Sequence, residues 1–135
     1  MNQGQTGLTR QSLRPEWILL IVVFVVGCLL TLLRKPDVVY NPQFYIEDGR
    51  DWYAQAHEIG PLSALFIPHR GYLVVVQRLG AMLALQFPFG WAPLVMSLFG
   101  TALDVLPAVF IASSRFAGVV PNIRSRLFLA LLCIL

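Results

Sequence analysis

A chain of 135 residues that is 57% hydrophobic and only 13% charged, with mean hydropathy +0.69, lies well away from a soluble domain, where about 25% of residues are charged, and reads as a membrane protein. The net charge of +3 does not point to nucleic acid: Arg10, Arg14, Arg115, Arg124 and Arg126, half of the ten cations, flank apolar runs, where basic residues record orientation. Cys28 and Cys133 both fall inside apolar runs, which excludes a disulfide framework and gives no metal-type spacing.

Residues 1–15 are polar, rich in Gly, Gln, Ser and Thr, and read as a short cytoplasmic tail. Residues 17–33, Trp17 to Leu33, carry no charge and as a helix would rise roughly 26 Å, close to the hydrocarbon thickness of a bilayer. Trp17 at one end and Arg34 with Lys35 at the other suit the two interfaces. Arg34-Lys35-Pro36 offers no small-residue cleavage site, so the run predicts an uncleaved anchor.

Pro36 and Pro42 then enforce extended chain. A helix is predicted to begin at Asp48, with Asp48 as N-cap and Asp51 three residues on in the manner of a capping box. Trp52, Ala56 and Ile59 share one face of it, and Asp51, Gln55 and Glu58 another. Gly60-Pro61 ends it. A second loop helix is expected over Tyr72–Leu85, lying at the interface or packed inside the bundle, because 14 residues with Arg78 midway do not make a span. Phe87-Pro88-Phe89-Gly90 breaks it.

Residues 91–113 form the second span, with Pro107 inside it as a kink site. Ser97, Gly100, Thr101, Asp104 and Ala108 make a small and polar stripe of the kind that packs helix on helix in lipid. The nine residues 127–135 are wholly apolar, short of the about 20 that a span needs. The expectation is therefore the N-terminal part of a longer protein, with partner helices supplied beyond it. The fold class expected is all-α, a polytopic transmembrane bundle over 16–135. The three arginines between Ser114 and Arg126, with no acid among them, place that segment and the N-terminus in the cytoplasm and the loop 34–90 outside.

That loop holds the chemistry. Residues 47–72 contain four of the seven acids and both histidines. Glu47-Asp48 is an adjacent acidic pair: a carboxylate at hydrogen-bond range can act as a general base, and the pair's oxygens suit a divalent cation. Equally, Asp48 can be no more than a helix cap beside a solvated Glu47. His69 and Arg70, followed by Gly71 and Tyr72, can grip a phosphate at the start of the second loop helix, or anchor to lipid headgroups with Tyr72 as a belt aromatic. Arg78 is expected to pair with Asp51 or Glu58, and His57 to be structural. Asp104, an acid inside a span, is either functional or paired with a further helix.

The order of these features resembles the N-terminal region of bacterial polytopic membrane glycosyltransferases of the GT-C type, mannosyltransferase-like and O-antigen-modifying proteins among them. The resemblance covers residues 17–113 and rests on Phe44-Tyr45-Ile46-Glu47-Asp48-Gly49 and on Leu65-Phe66-Ile67-Pro68-His69-Arg70-Gly71-Tyr72-Leu73, followed by Arg78-Leu79. It implies transfer of a sugar from a polyprenyl-phosphate donor to a glycan or lipid acceptor at the outer face of the inner membrane. Asp48 would be the base, Glu47 its partner or alternate, and Arg70 a contact to the donor phosphate. It also implies that 135 residues without their further helices are inactive. The rival expectation is a non-enzymatic polytopic protein, a transporter or assembly subunit, with Asp104 as the functional acid.

Overall fold

The computed structural model describes residues 16–135; the N-terminal tail expected over 1–15 lies outside them. The regular elements of the described residues are all helical, with no strand. Two helices are long and apolar enough to cross a membrane. Helix α1, Glu16–Arg34, buries only Gly27 of its 19 residues. Its apolar exterior suits a hydrocarbon solvent, since in water it would leave Ile21, Val25, Leu29 and their neighbours unsheltered. A four-residue helix follows, α2, Asp37–Tyr40.

The expected cap at Asp48 is corrected by the structure. Asp48–Tyr53 forms a π-helical turn whose preceding residue is Glu47, and no side chain caps it. The Asp48 N–H already donates to the Tyr45 carbonyl at 2.8 Å, so Asp48 sits inside the turn rather than before it. Trp52 and Tyr53 are consecutive and both buried, which a turn wider than an α-helix accommodates. From there α3 runs Ala54–Ile59. Of its predicted apolar face Trp52 and Ala56 are buried, while Ile59 is exposed.

Gly60 ends α3 as expected, and Pro61 at once opens α4, Pro61–Leu65. The second loop helix is shorter than expected: α5 spans Val75–Ala84. Residues 69–72 form a tight hairpin instead, with His69 and Tyr72 exchanging backbone bonds of 2.8 and 3.1 Å around Arg70 and Gly71, both at positive φ. The glycine makes that turn accessible. At about 15 Å, α5 is too short to cross a bilayer. It packs by Gly80, Ala81 and Ala84, with a Cβ at Gly80 meeting Phe99 at 2.9 Å.

A short 3-10 turn, Phe89–Trp91, leads into α6, Ala92–Ala112, which runs unbroken through Pro107. Asn122 caps the last helix, α7, Ile123–Ile134, its side chain accepting from the Arg124 N–H. The α6 residues that pack against α1 and α7 include Val105, Ala108 and Ala112; of the predicted stripe Thr101 and Ala108 are buried while Asp104 is exposed. Glu16 accepts from the Ser114 N–H and, at 2.8 Å, from its hydroxyl. The start of α1 and the arginine-bearing segment after α6 therefore share one end of the bundle, and the folded loop packs on the opposite half of α6, around Ala92 and Met96.

At the α1–α6 crossing a Cβ on Gly27 would stand 2.6 Å from Val105 and 3.1 Å from Ile134, and Val105 is fully buried and stiff. Gly27→Leu should therefore destabilise the protein by about 1–3 kcal/mol. Gly100→Ala, whose Cβ enters open space, should be neutral or stabilise by about 1 kcal/mol at most. Urea unfolding of the detergent-solubilised protein, followed by circular dichroism, measures both; equal stability of the two variants would contradict a close α1–α6 contact.

Candidate functional site

The π turn, α5 and α6 border an open cavity of about 280 Å³. Its polar lining is Asp48, Gln77 and Asp104, and its apolar wall includes Met96, Phe99 and Leu103. The two acids that the sequence offers as rival functional groups thus face one space. Asp48 is half-buried. Burial raises the pKa of its carboxyl from the ordinary value, and the neighbouring Glu47 charge pushes the same way, against a backbone contact with Tyr45. A carboxyl displaced upward in a partly apolar cavity has the character of a general base. Glu47, also half-buried, is not part of this lining.

The residues expected to hold phosphate lie elsewhere. His69 packs its ring on Trp52 at 4.7 Å, edge to face, and lies 6.4 Å from the Tyr72 ring. Arg70 is exposed at the hairpin tip, and none of the three begins a helix. Their charges act on Asp51 rather than Asp48: the bond from Arg50 at 3.2 Å comes first, and with the nearby charges of Arg50, His69 and Arg70 it holds the Asp51 carboxyl below its ordinary value, against burial.

Arg78 is a second correction. It is 1% exposed and forms no ion pair with Asp51 or Glu58; among the described residues the salt bridge at Asp51 is to Arg50. Its guanidinium instead stands 5.0 Å from the centre of the Trp52 ring, and among the described residues none of its three nitrogens has a hydrogen-bond partner. Gln55 Oε1, on α3, is also buried and has no hydrogen-bond partner among the described residues. His57 stacks on Tyr53, with rings 6.4 Å apart and 15° from parallel.

Among the described residues no three His, Cys, Asp or Glu side chains converge as a metal-holding group. A divalent cation at Glu47 and Asp48 would have only that pair's oxygens, which do not open on the same cavity, and no step below passes through one. Gln77 and the aromatic residues Phe44 and Phe89 were not legible as site residues in the sequence: their positions near Asp48 or Gly49 are set by packing, not by spacing. No protein-family model, curated protein or solved structure matches the chain.

Proposed function

We propose that this chain belongs to a membrane glycosyltransferase of the GT-C type, which takes a sugar from a polyprenyl-phosphate-linked donor to a glycan or lipid acceptor at the outer face of the inner membrane. Asp48 is the base that removes the acceptor hydroxyl's proton. One observation carries the reading: Asp48 caps no helix and turns its half-buried carboxyl into a cavity beside the apolar bundle. Lipid-linked donors need a site at the bilayer surface, and α1 and α6 supply the apolar lengths that would hold the loop there. Sugar transfer by Asp48→Asn and Asp104→Asn in the full-length protein is the test, with loss expected in the first.

A second reading has its own support. Asp104 lines the same cavity, and in a non-enzymatic membrane protein it would be the acid that binds a proton or cation in transport. Asp104→Asn would then abolish function while Asp48→Asn left it intact.

The topology that goes with the enzyme reading has 1–15 and 114–126 in the cytoplasm and 34–90 outside. In intact cells expressing a variant lacking Cys28 and Cys133, an impermeant thiol reagent should label Arg50→Cys and not Asn122→Cys. Labelling at 122 would reverse the orientation.

A further inference from the structure

The turn that carries Asp48 separates two cavities. On its other face Gly49 and Tyr53 line a space of about 500 Å³ with Phe44, Phe89, His57 and Glu58, within the range of small-molecule sites. Three rings form its wall in mutual contact: Phe44–Tyr53 at 5.4 Å, Phe44–Phe89 at 6.0 Å and Tyr53–Phe89 at 5.7 Å, all tilted. Glycine at 49 is needed for this wall, since a Cβ there would stand 2.9 Å from the Phe44 ring. Phe89 is 68% exposed, a large apolar ring left open beside the cavity rather than folded into the core. Among the described residues neither the Glu58 carboxylate nor the His57 imidazole is engaged in a hydrogen bond or ion pair.

The lining selects a chemical class. An anion would meet the Glu58 charge with no cation in the lining to offset it. An acyl chain would match the rings but bury a carboxylate and an imidazole without partners. A neutral polyhydroxylated ring satisfies both parts: its C–H face lies on the aromatic rings, one hydroxyl donates to Glu58, and another pairs with His57. We propose that this aromatic cup is a binding subsite for an uncharged sugar ring. The proposal rests on the glycosyltransferase reading only for the role of that ring, which lies across the Asp48-Gly49 turn from the cavity that Asp48 lines.

Saturation-transfer NMR on the full chain in lipid nanodiscs, with methyl β-glucopyranoside and methyl α-mannopyranoside as probes, tests it. The intact protein should bind at least one of them. Phe89→Ser should weaken that binding about threefold to tenfold, and Glu58→Gln about tenfold or more. Both positions are exposed, so the helical circular dichroism should be unchanged. Asp48→Asn should bind the glycoside to within about twofold of the parent, since it lines the other cavity. Failure of both glycosides to bind, indifference to both cup substitutions, or tighter binding of glucose 6-phosphate overturns the proposal. The two readings fail separately. If Asp48→Asn transfers sugar normally while the cup variants lose glycoside binding, the base assignment falls and the cup stands. If Asp48→Asn abolishes transfer and no glycoside binds, the cup falls and the base stands.

Discussion

Asp48→Asn should lower sugar transfer by a factor of about 100 to 10,000, the range for losing a general base, while insertion and protein level stay at those of the parent. Asn has the shape of Asp, the bond from the Asp48 N–H to the Tyr45 carbonyl does not involve the side chain, and the contact of the carboxyl with the Tyr45 backbone is one that an amide oxygen can also accept. No cap is lost, because the side chain caps nothing. What disappears is an oxygen able to take a proton. The same carboxyl predicts a pH profile. Since burial raises its pKa, the acid limb of kcat/KM should lie above the ordinary carboxyl value of 3.8 and vanish with the substitution. The sign for stability is the opposite of the usual acid. A native carboxyl that holds its proton more tightly than the unfolded chain contributes stability at low pH, and that contribution is lost as pH rises from the ordinary value through the raised native one. Asp48→Asn should flatten this slope. Near-parental transfer by the variant would move the base to Glu47, and equal silence of Glu47→Gln would sink the enzymatic reading of the loop.

Arg78→Met should stabilise the protein, by about 1–4 kcal/mol. A guanidinium 1% exposed that finds no hydrogen-bond partner for any of its three nitrogens among the described residues gains little from its burial. The Trp52 ring at 5.0 Å returns only about 0.5–2 kcal/mol as a cation–π contact. Methionine fills a similar length without an unmet donor and places its sulfur on the same indole. Equilibrium unfolding in mild detergent measures the difference. A fall in stability would mean that Arg78 does find acceptors, with Gln55 Oε1, the other buried unpartnered atom of this region, as the first to test by Gln55→Leu.

Much of the fold was legible because its longest elements choose their own solvent. Trp17 to Leu33 has no charge to place, and α1 duly runs Glu16–Arg34; the second apolar run becomes α6 in the same way. Gly60-Pro61 and the Phe87–Gly90 break act through backbone restrictions that tertiary contacts rarely override. The loop was less legible, since its local preferences are weak against packing. A capping box at Asp48 is worth only about 1 kcal/mol, and burying both Trp52 and Tyr53 outweighs it, giving a π turn instead. The start of α5 moved from Tyr72 to Val75 because Arg70 and Gly71 close a hairpin.

The two long apolar helices, the charged loop between them and the choice of Asp48 and Asp104 as the acids worth asking about could be read from the chain alone. This is because hydropathy and charge act residue by residue and need no partner to be read. Only the tertiary structure brought those two acids into one cavity, took Arg70 away from it, buried Arg78 against Trp52, and gathered Phe44, Tyr53 and Phe89 into a cup. Such meetings depend on how closely elements approach, set here by Gly80 against Phe99 and Gly49 under Phe44. Spacing along one helix carries no information about the distance to the next.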